Sequence, residues 1–429
     1  MHLSATGRHP PAPTDKHRIA LVTAHSDRRI WQQTRALMSA GWQAEVFPAR
    51  DLETLRLPED LPRMGAAPDA FGKAAGRRAR RRLYALATRL GIHRAASLYH
   101  TLRCIFRPLA ESIADRYRAD LMSHGHHVLV AHDLPVLPLC VEVAETTGAR
   151  VVYDSHELYA EQALLSARAR RYWTAVEKTH IRRACLVVTV NQGIAQELAR
   201  RYQLPERPFV LPNVCRYRPL PERKTALAEL YQLPTGRPVV LCQGGLMPGR
   251  GLETVVEAWE CFAETPPLLV FLGDGPMAAW IAHRVRQRKL QDHVFVGCSV
   301  GSDDLVRYTA CADLGLIPYA PGIRVTSQNT RLSSPNRLFE YVMARVPILS
   351  WELPEIKRVM DQAGTGWCAT WQSPRELAAR IQEALGEVAQ ISAEARETAA
   401  RRFSFEHYQP EWLAALSDLW EARPSRGAA

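Results

Sequence analysis

The chain has 429 residues, of which 47% are hydrophobic and 23% charged, and its formal net charge is +11. This length exceeds what one hydrophobic core normally supports, so we expect two domains of about 200 residues each. No run of about 20 apolar residues is present, which argues against a transmembrane helix. The polar, Pro-rich first residues do not resemble a signal peptide, and the nine cysteines never form a C-x-x-C pair. A reducing cytoplasm is therefore the expected location.

Nearly all of the excess positive charge lies in one segment, residues 72–118, which has twelve basic and two acidic residues. Leucine, isoleucine and aromatic residues are interleaved with its arginines, a composition typical of a basic amphipathic helix on an anionic membrane surface. A solvated helical face is almost as compatible with this composition. Nucleic acid is disfavoured as a partner, because no known binding motif accompanies the charge.

The predicted elements alternate between strands and helices along most of the chain. From Arg18 the pattern gives a strand, an amphipathic helix closed by Gly41, and a second strand. After the basic segment, short runs rich in Val, Ile and Leu alternate with helices, and the alternation starts again after a Pro-rich connection at residues 204–224. This predicts an α/β fold with two doubly wound, Rossmann-like parallel-sheet domains that face each other across a cleft.

We place the first domain at residues 17–212 and the second at 213–404. A C-terminal helix at residues 405–424 is expected to pack back across the domains. Ligands in such folds bind at the carboxyl ends of the strands, so we expect the site in the cleft between the two sheets.

One stretch, SSPNRLFEY at residues 333–341, reads as a helix start. Ser334 can cap the helix, and Pro335 suits its first position. The free N–H groups of such an end favour an anion such as phosphate, and Arg337 and Glu340 are spaced to share one helix face. These residues alone are equally compatible with an ordinary capped helix that carries a surface Arg–Glu pair.

Polar residues also follow several of the predicted first-domain strands. His156, in the sequence YDSHE, could act as a general base or polarise a hydroxyl, with Asp154 and Glu157 orienting it. A structural histidine is the alternative. Asp133 and Asn191 end two other strands and have weaker claims to a role.

In the second domain, a glycine-rich turn joins a strand to a helix in the sequence QGGLMPGRG. Gly244 and Gly245 would let the backbone approach a phosphate, and Arg250 could form two hydrogen bonds to a diphosphate. The turn matches neither the P-loop nor the dinucleotide fingerprint, so glycines that merely form a tight turn are the alternative. Together, these features predict group transfer between a nucleotide diphosphate on the second domain and a substrate on the first.

The blocks YDSHELYAE, CQGGLMPGRGLETVVEAW and SSPNRLFEYVMARVPIL resemble glycosyltransferases of the GT-B fold, and are most similar to the large retaining group called family 4. Within that group, the last block resembles the S-P-N-[KR]-L-F-E-Y variant. The resemblance runs from Arg18 to about Cys368. It implies a retaining enzyme that moves a sugar from a nucleotide diphosphate to a hydroxyl acceptor without a metal cofactor. The basic segment suggests a lipid-linked or cell-surface glycan precursor as acceptor, with the protein cytoplasmic and peripheral on the inner face of the membrane.

The resemblance also implies roles for individual residues. Glu340 resembles the second glutamate of the E-x(7)-E motif, which binds the ribose, and Arg250 stands where a basic residue neutralises the leaving diphosphate. His156 resembles a first-domain histidine near the reacting sugar carbon. The implied catalytic residues are His156, Arg250 and Glu340, and the implied donor-binding residues are Gly244, Gly245, Arg250, Ser334, Pro335, Asn336, Arg337 and Glu340.

Two positions depart from the family pattern. Leu332 replaces the first glutamate of E-x(7)-E, which usually contacts the donor sugar, and Gly245 replaces the arginine of a G-R-L run. Arg337 could compensate for the second change. Two alternatives remain: a nucleotide-sugar epimerase of the same fold, and a non-catalytic protein that binds a nucleotide sugar or an anionic lipid.

Overall fold

The structure is a computed structural model that describes residues 17–23, 28–48, 109–162, 165–221, 225–297, 299–301, 304–319 and 327–421. The basic segment predicted at residues 72–118 lies outside the described residues as far as residue 108. From residue 109 to 115 only the backbone is described.

The first sheet has six strands in the order β2-β1-β3-β4-β5-β6, and all of their pairings are parallel. The strands are β1 (Arg18–Thr23), β2 (Gln43–Pro48), β3 (Val128–His132), β4 (Arg150–Ser155), β5 (Leu186–Thr189) and β6 (Phe209–Val210). The helices that accompany them are α1 (Arg28–Ser39), α2 (Leu109–Ser123), α3 (Leu137–Thr147), α4 (Ala167–His180) and α5 (Gln192–Tyr202).

The second sheet also has six parallel strands, in the order β12-β11-β10-β7-β8-β9. The strands are β7 (Val239–Gln243), β8 (Leu268–Leu272), β9 (Val294–Val296), β10 (Leu314–Ile317), β11 (Ile348–Trp351) and β12 (Gly366–Ala369). The helices of this half are α6 (Ala226–Tyr231), α7 (Leu252–Ala258), α8 (Ala278–Gln287), α9 (Leu305–Thr309), α10 (Gln328–Arg331), α11 (Asn336–Met343), α12 (Pro354–Ala363), α13 (Pro374–Glu387), α14 (Ala393–Arg402) and α15 (Phe405–Glu421).

Both faces of each sheet are covered, which explains why the strands read as continuous apolar runs rather than as alternating patterns. In β1, Ile19 and Leu21 belong to one buried cluster, while Ala20 and Val22 belong to another on the opposite face. All four residues are fully buried. The predicted pair of doubly wound sheets is therefore confirmed; the exact boundaries of the two domains stay predictions.

The last helix, α15, returns to the first sheet domain. The Trp420 ring lies 4.1 Å from the His17 ring and 4.5 Å from the His127 ring, measured between centroids. At the other end of the helix, the Phe405 amide donates to the Cys215 carbonyl at 2.7 Å. Among the described residues, no helix is both long and apolar enough to cross a membrane.

Strand order places the potential binding edge of the second sheet between β7 and β10. The chain order reverses there, and ligands of doubly wound sheets bind in the crevice beyond such a reversal. The loop after β7 carries the predicted glycine turn, and α11 carries the SSPNRLFEY stretch. Both predicted donor-binding segments therefore meet at this edge.

Candidate active site

Helix α11 begins one residue later than predicted, and it is not capped by Ser334. Pro335 is its N-cap residue, with an extended backbone and no side-chain capping bond. The Ser334 hydroxyl instead accepts a hydrogen bond from Asn191 Nδ2 at 3.0 Å. Because no side chain caps the helix, its first amides are free to meet a ligand, and Asn336 at the helix start is exposed.

Arg337 lies inside the protein and not on the helix surface, since only 4% of the residue is exposed. Its Nη1 donates to the Gln243 carbonyl at 3.3 Å. Its Nε and Nη2 are buried and have no hydrogen-bond partner in the described part of the chain. Two unsatisfied guanidinium donors at a strand end are what a bidentate anion site requires.

Glu340 is also buried, and it does not pair with Arg337. Its Oε2 accepts from Gln243 Nε2 at 2.7 Å, and Gln243 Oε1 in turn accepts from Thr309 Oγ1 at 2.8 Å. Its Oε1 lies 3.1 Å from Nη1 of Arg28, at the start of α1 in the first domain. The alternative of an exposed Arg337–Glu340 pair is therefore wrong, and Glu340 joins the two domains.

The glycine turn after β7 packs against the turn after β8. Gly244 and Gly245 are exposed, and the Gly244 amide donates to the Leu272 carbonyl at 2.9 Å. A Cβ added at Gly273 would lie 2.0 Å from the Gly244 carbonyl oxygen, so a side chain at that position would push the turn away. The close approach at Gly273 thus supports the position of Gly244 and Gly245.

Arg250 folds back over this turn and donates from Nη1 to the Gly245 carbonyl at 3.3 Å. Burial and the neighbouring Arg337 guanidinium both lower the pKa of Arg250. Neither arginine forms an ion pair with any residue that the structure describes. Two neighbouring like charges that form no ion pair are costly unless an anion binds between them.

The two domains meet next to this site through Asn191 and Leu332. Asn191 caps α5 through Oδ1, and its Nδ2 donates to the Leu332 carbonyl at 2.8 Å. The Leu332 side chain packs into the first domain's apolar cluster, and a Cβ added at Gly193 would lie 2.9 Å from Leu332 Cδ2. The position where related motifs have a sugar-binding glutamate is therefore an apolar contact between domains.

In the first domain, His156 lies at the carboxyl end of β4 with 12% of its side chain exposed. Its backbone amide donates to Asp133 Oδ1 at 3.2 Å, and its Nε2 lies 3.2 Å from His132 Nδ1. Asp133 itself has a φ of 70°, which is uncommon for a residue with a side chain and is typical of functional sites. The prediction that Glu157 orients His156 is wrong: Glu157 accepts from Gln162 at 2.6 Å and from Asn329 at 2.5 Å.

Asp154 is the fixed charge beneath this histidine. Arg29 holds both of its oxygens, with Nε 2.9 Å from Oδ2 and Nη2 2.8 Å from Oδ1, and Gln33 Nε2 adds a bond of 2.8 Å to Oδ2. Burial would raise the pKa of Asp154, but Arg29 and His132 outweigh burial and hold that pKa well below its usual value. Asp154 Oδ2 lies 3.3 Å from His132 Nδ1 and 3.8 Å from His156 Nε2. Asp154 therefore orients His156 mainly indirectly, through His132, whose Nδ1 lies within 3.3 Å of both side chains.

Several residues of this site were not identified from the sequence. Arg28 and Arg29 begin α1 directly beyond the first strand, and Gln243 is the last residue of β7. Asn329 reaches from the second domain to the Leu158 amide, which donates to its Oδ1 at 3.0 Å. Their positions at strand ends and helix starts are the signal that the sequence contains for them, and the same signal indicates Asn191.

Residues 237–387 match the family model described as "Glycosyl transferases group 1". This range lies in the second sheet domain and contains the glycine turn, Arg250, Arg337 and Glu340. The match confirms the predicted enzyme class, because the chain carries a glycosyltransferase domain. No curated protein sequence matches the chain.

Solved glycosyltransferases share the two-sheet architecture over almost the whole chain. A sucrose-phosphate synthase from Thermosynechococcus elongatus superposes with a TM-score of 0.70 at 18% identity, covering 95% of this chain and 100% of its own. HepE of Anabaena in complex with UDP-glucose gives a TM-score of 0.65 at 14% identity, with coverages of 94% and 99%. WaaG, a glycosyltransferase involved in lipopolysaccharide biosynthesis, gives 0.60 at 16% identity, with coverages of 93% and 99%. These likenesses confirm the predicted GT-B fold.

Proposed function

We propose that this protein is a retaining glycosyltransferase that moves a sugar from a UDP-sugar to a hydroxyl acceptor. The observation that carries this proposal is the pair Arg250 and Arg337. Neither guanidinium forms an ion pair with a residue that the structure describes, and Arg337 lies in α11, which has an uncapped start and also carries Glu340. A nucleotide diphosphate supplies the anion that this arrangement lacks.

In this proposal the diphosphate lies against the first amides of α11, and the ribose hydroxyls bind Glu340. Arg250 and Arg337 stabilise the charge that develops on the diphosphate as the sugar leaves, so their contribution grows toward the transition state. HepE, which shares the fold, has been solved with UDP and with UDP-glucose, and this supports uridine as the base. GDP remains the next candidate, since nothing in the described residues selects the base.

In the same proposal, His156 contacts the donor from the first domain and positions the sugar or the acceptor hydroxyl. A retaining reaction then brings the acceptor to the face from which the diphosphate departs. The diphosphate oxygen accepts the acceptor's proton as the new glycosidic bond forms and the old bond breaks. Transfer by this route uses no metal, so we expect turnover to continue in the presence of EDTA.

For the acceptor we propose a lipid-linked or cell-surface glycan precursor at the inner face of a membrane. The support is the basic segment at residues 72–118, in which arginines alternate with apolar residues. WaaG, with the same fold, acts in lipopolysaccharide biosynthesis.

The decisive experiment incubates the full chain with UDP-, GDP-, CMP- and dTDP-sugars and a membrane extract as acceptor, and measures nucleotide binding, nucleotide release and product. We expect UDP-sugar binding and a lipid-extractable glycoside with the donor's anomeric configuration, determined by NMR. Binding without turnover would instead identify a non-catalytic nucleotide-sugar protein. Release of UDP together with a modified free sugar would identify an epimerase.

Replacing Glu340 by Gln should weaken UDP binding about 5- to 150-fold. A ribose hydroxyl would lose a charged acceptor in a buried site, which costs about 1 to 3 kcal/mol. Isothermal titration calorimetry with UDP measures the effect. Glu383→Gln, at an exposed position of α13, is the matched control. Equal UDP affinity for wild type and Glu340→Gln would remove Glu340 from the ribose site.

Replacing Arg77, Arg78, Arg80, Arg81 and Arg82 by Gln should weaken binding to anionic vesicles at low salt. The loss should shrink as salt rises, because counterions screen the arginines from the lipid headgroups. Co-sedimentation with vesicles containing phosphatidylglycerol measures it. The control removes the same charge from five exposed arginines elsewhere, at positions 168, 171, 182, 207 and 286. Equal binding by the two variants would assign the segment to a solvated face.

A further inference from the structure

A second group of potential ligands lies in the first domain, toward the amino ends of its strands and away from His156. Glu45 is the third residue of β2, and His124 and His126 lie between the end of α2 and the start of β3. Gly125 separates the two histidines with a φ of 63°, a turn that directs both imidazoles to the same carboxylate. Glu45, His124 and His126 are called the Glu45 cluster below.

The distances within the Glu45 cluster fit a single metal ion. His126 Nε2 lies 2.8 Å from Glu45 Oε2, and His124 Nδ1 lies 3.5 Å from the same oxygen. The three ligand atoms all lie within 4.8 Å of one another. A tetrahedral zinc ion with bonds of about 2.0 to 2.1 Å separates its ligands by about 3.3 Å, so small side-chain movements suffice.

The positions of the side chains also favour a preformed site. His124 Nδ1 is buried and makes no hydrogen bond to the residues that the structure describes. The Phe47 ring packs edge-on against the His126 ring, with centroids 5.6 Å apart, and restricts its orientation. His124 keeps 26% of its side chain exposed, which leaves a path for an ion and for water to complete its coordination.

A comparison with the second histidine–carboxylate group shows why the Glu45 cluster is the better candidate. His132, Asp154 and His156 also bring three ligand atoms within 4.8 Å. Both Asp154 oxygens there are taken by the buried Arg29 guanidinium, which would repel a cation. Among the described residues, Glu45 pairs with the guanidinium of Arg18, which is 38% exposed and lies 3.5 Å from Oε1 rather than from Oε2.

We propose that Glu45, His124 and His126 form a binding site for a divalent transition metal ion, best matched by Zn²⁺. His124 binds through Nδ1, His126 through Nε2 and Glu45 through Oε2, and water completes a tetrahedral shell. The ion would link β2 to the segment between α2 and β3. This position is at the amino ends of the strands, opposite the carboxyl ends where the proposed sugar-transfer site lies. Its role is structural, and no step of the proposed transfer uses it.

The test is zinc binding by the full chain after removal of metal with a chelator, measured by calorimetry and by the shift in melting temperature. We expect one Zn²⁺ per chain and an increase in melting temperature. His124→Gln, chosen because His124 is partly exposed, should weaken binding at least tenfold. His283→Gln, at an exposed position of α8, should bind zinc as the wild type does.

His156→Gln distinguishes the two histidine groups. We expect zinc affinity equal to wild type in this variant. Loss of binding in His156→Gln with retention in His124→Gln would overturn the proposal and move the ion to the Asp154 group. Absence of zinc binding by the wild-type chain would overturn it as well. None of these outcomes bears on UDP-sugar turnover, which is measured separately.

Discussion

Arg250→Met should reduce the turnover number for sugar transfer by about 100- to 1000-fold while changing UDP affinity much less. Arg250 stands beside the unsatisfied Arg337 at the β7 edge, where the diphosphate would gain charge as the sugar leaves. Removing one preorganised donor from such a charge typically costs about 2.7 to 4 kcal/mol of transition-state stabilisation. Steady-state kinetics with a UDP-sugar and the membrane acceptor would separate kcat from KM.

Two further variants make this prediction specific. Arg250→Lys keeps the charge but loses the paired donors, so it should recover part of the activity and remain below wild type. Arg286→Met removes an exposed arginine from α8 and should leave kcat unchanged. If Arg250→Met transfers sugar at the wild-type rate, Arg250 does not contact the leaving group.

The sequence was sufficient to predict the architecture because each parallel strand is buried on both faces. Strands such as β1 and β8 therefore appear in the sequence as short apolar runs between helices. This pattern can be recognised without any knowledge of tertiary contacts. The nearness of the glycine turn and α11 follows from the same topology, since both lie at the carboxyl edge of one sheet. The order of strands then fixes the edge to which the segments carrying Arg250 and Glu340 both belong.

The contacts between distant segments could not be predicted in the same way. Arg28 and Glu340 are 312 residues apart, and Arg29 and Asp154 are 125 residues apart, so no local spacing indicates either pair. The error at Ser334 has the same origin, because a serine before a helix usually caps it. The Ser334 hydroxyl instead accepts a hydrogen bond from Asn191, which is 143 residues away in the chain.

The surroundings of Leu332 explain why this residue replaces the first glutamate of the E-x(7)-E pattern. A glutamate at that position would place a charge within the first domain's apolar cluster, beside Gly193 and the buried Glu355. That burial would be costly without a partner. The contact between domains therefore disfavours a glutamate at this position, and in the proposed function the donor sugar would find its polar contacts elsewhere in the cleft.

Asp154→Asn should lower the free energy of unfolding by about 3 to 5 kcal/mol. The change leaves the Arg29 guanidinium, only 6% exposed, without its charged partner, and removing one member of a buried ion pair has a cost of this size. The remaining bonds from Arg29 Nη1, to the Leu211 and Pro212 carbonyls and to the Asn213 side-chain oxygen, involve neutral acceptors and cannot neutralise the charge. Urea unfolding followed by circular dichroism measures the loss, with Asp418→Asn at an exposed position of α15 as the control.

The same pair predicts how this difference depends on pH. Because Arg29 and His132 hold the pKa of Asp154 well below its usual value, the carboxylate stabilises the folded state fully above the pKa of an unfolded aspartate, about 3.9. This stabilisation is lost as the pH falls from that value toward the lower pKa of the folded protein. The gap between wild type and Asp154→Asn should therefore narrow as the pH falls below about 4. A gap that stays constant down to pH 3 would mean that the carboxylate's charge does not stabilise this cluster.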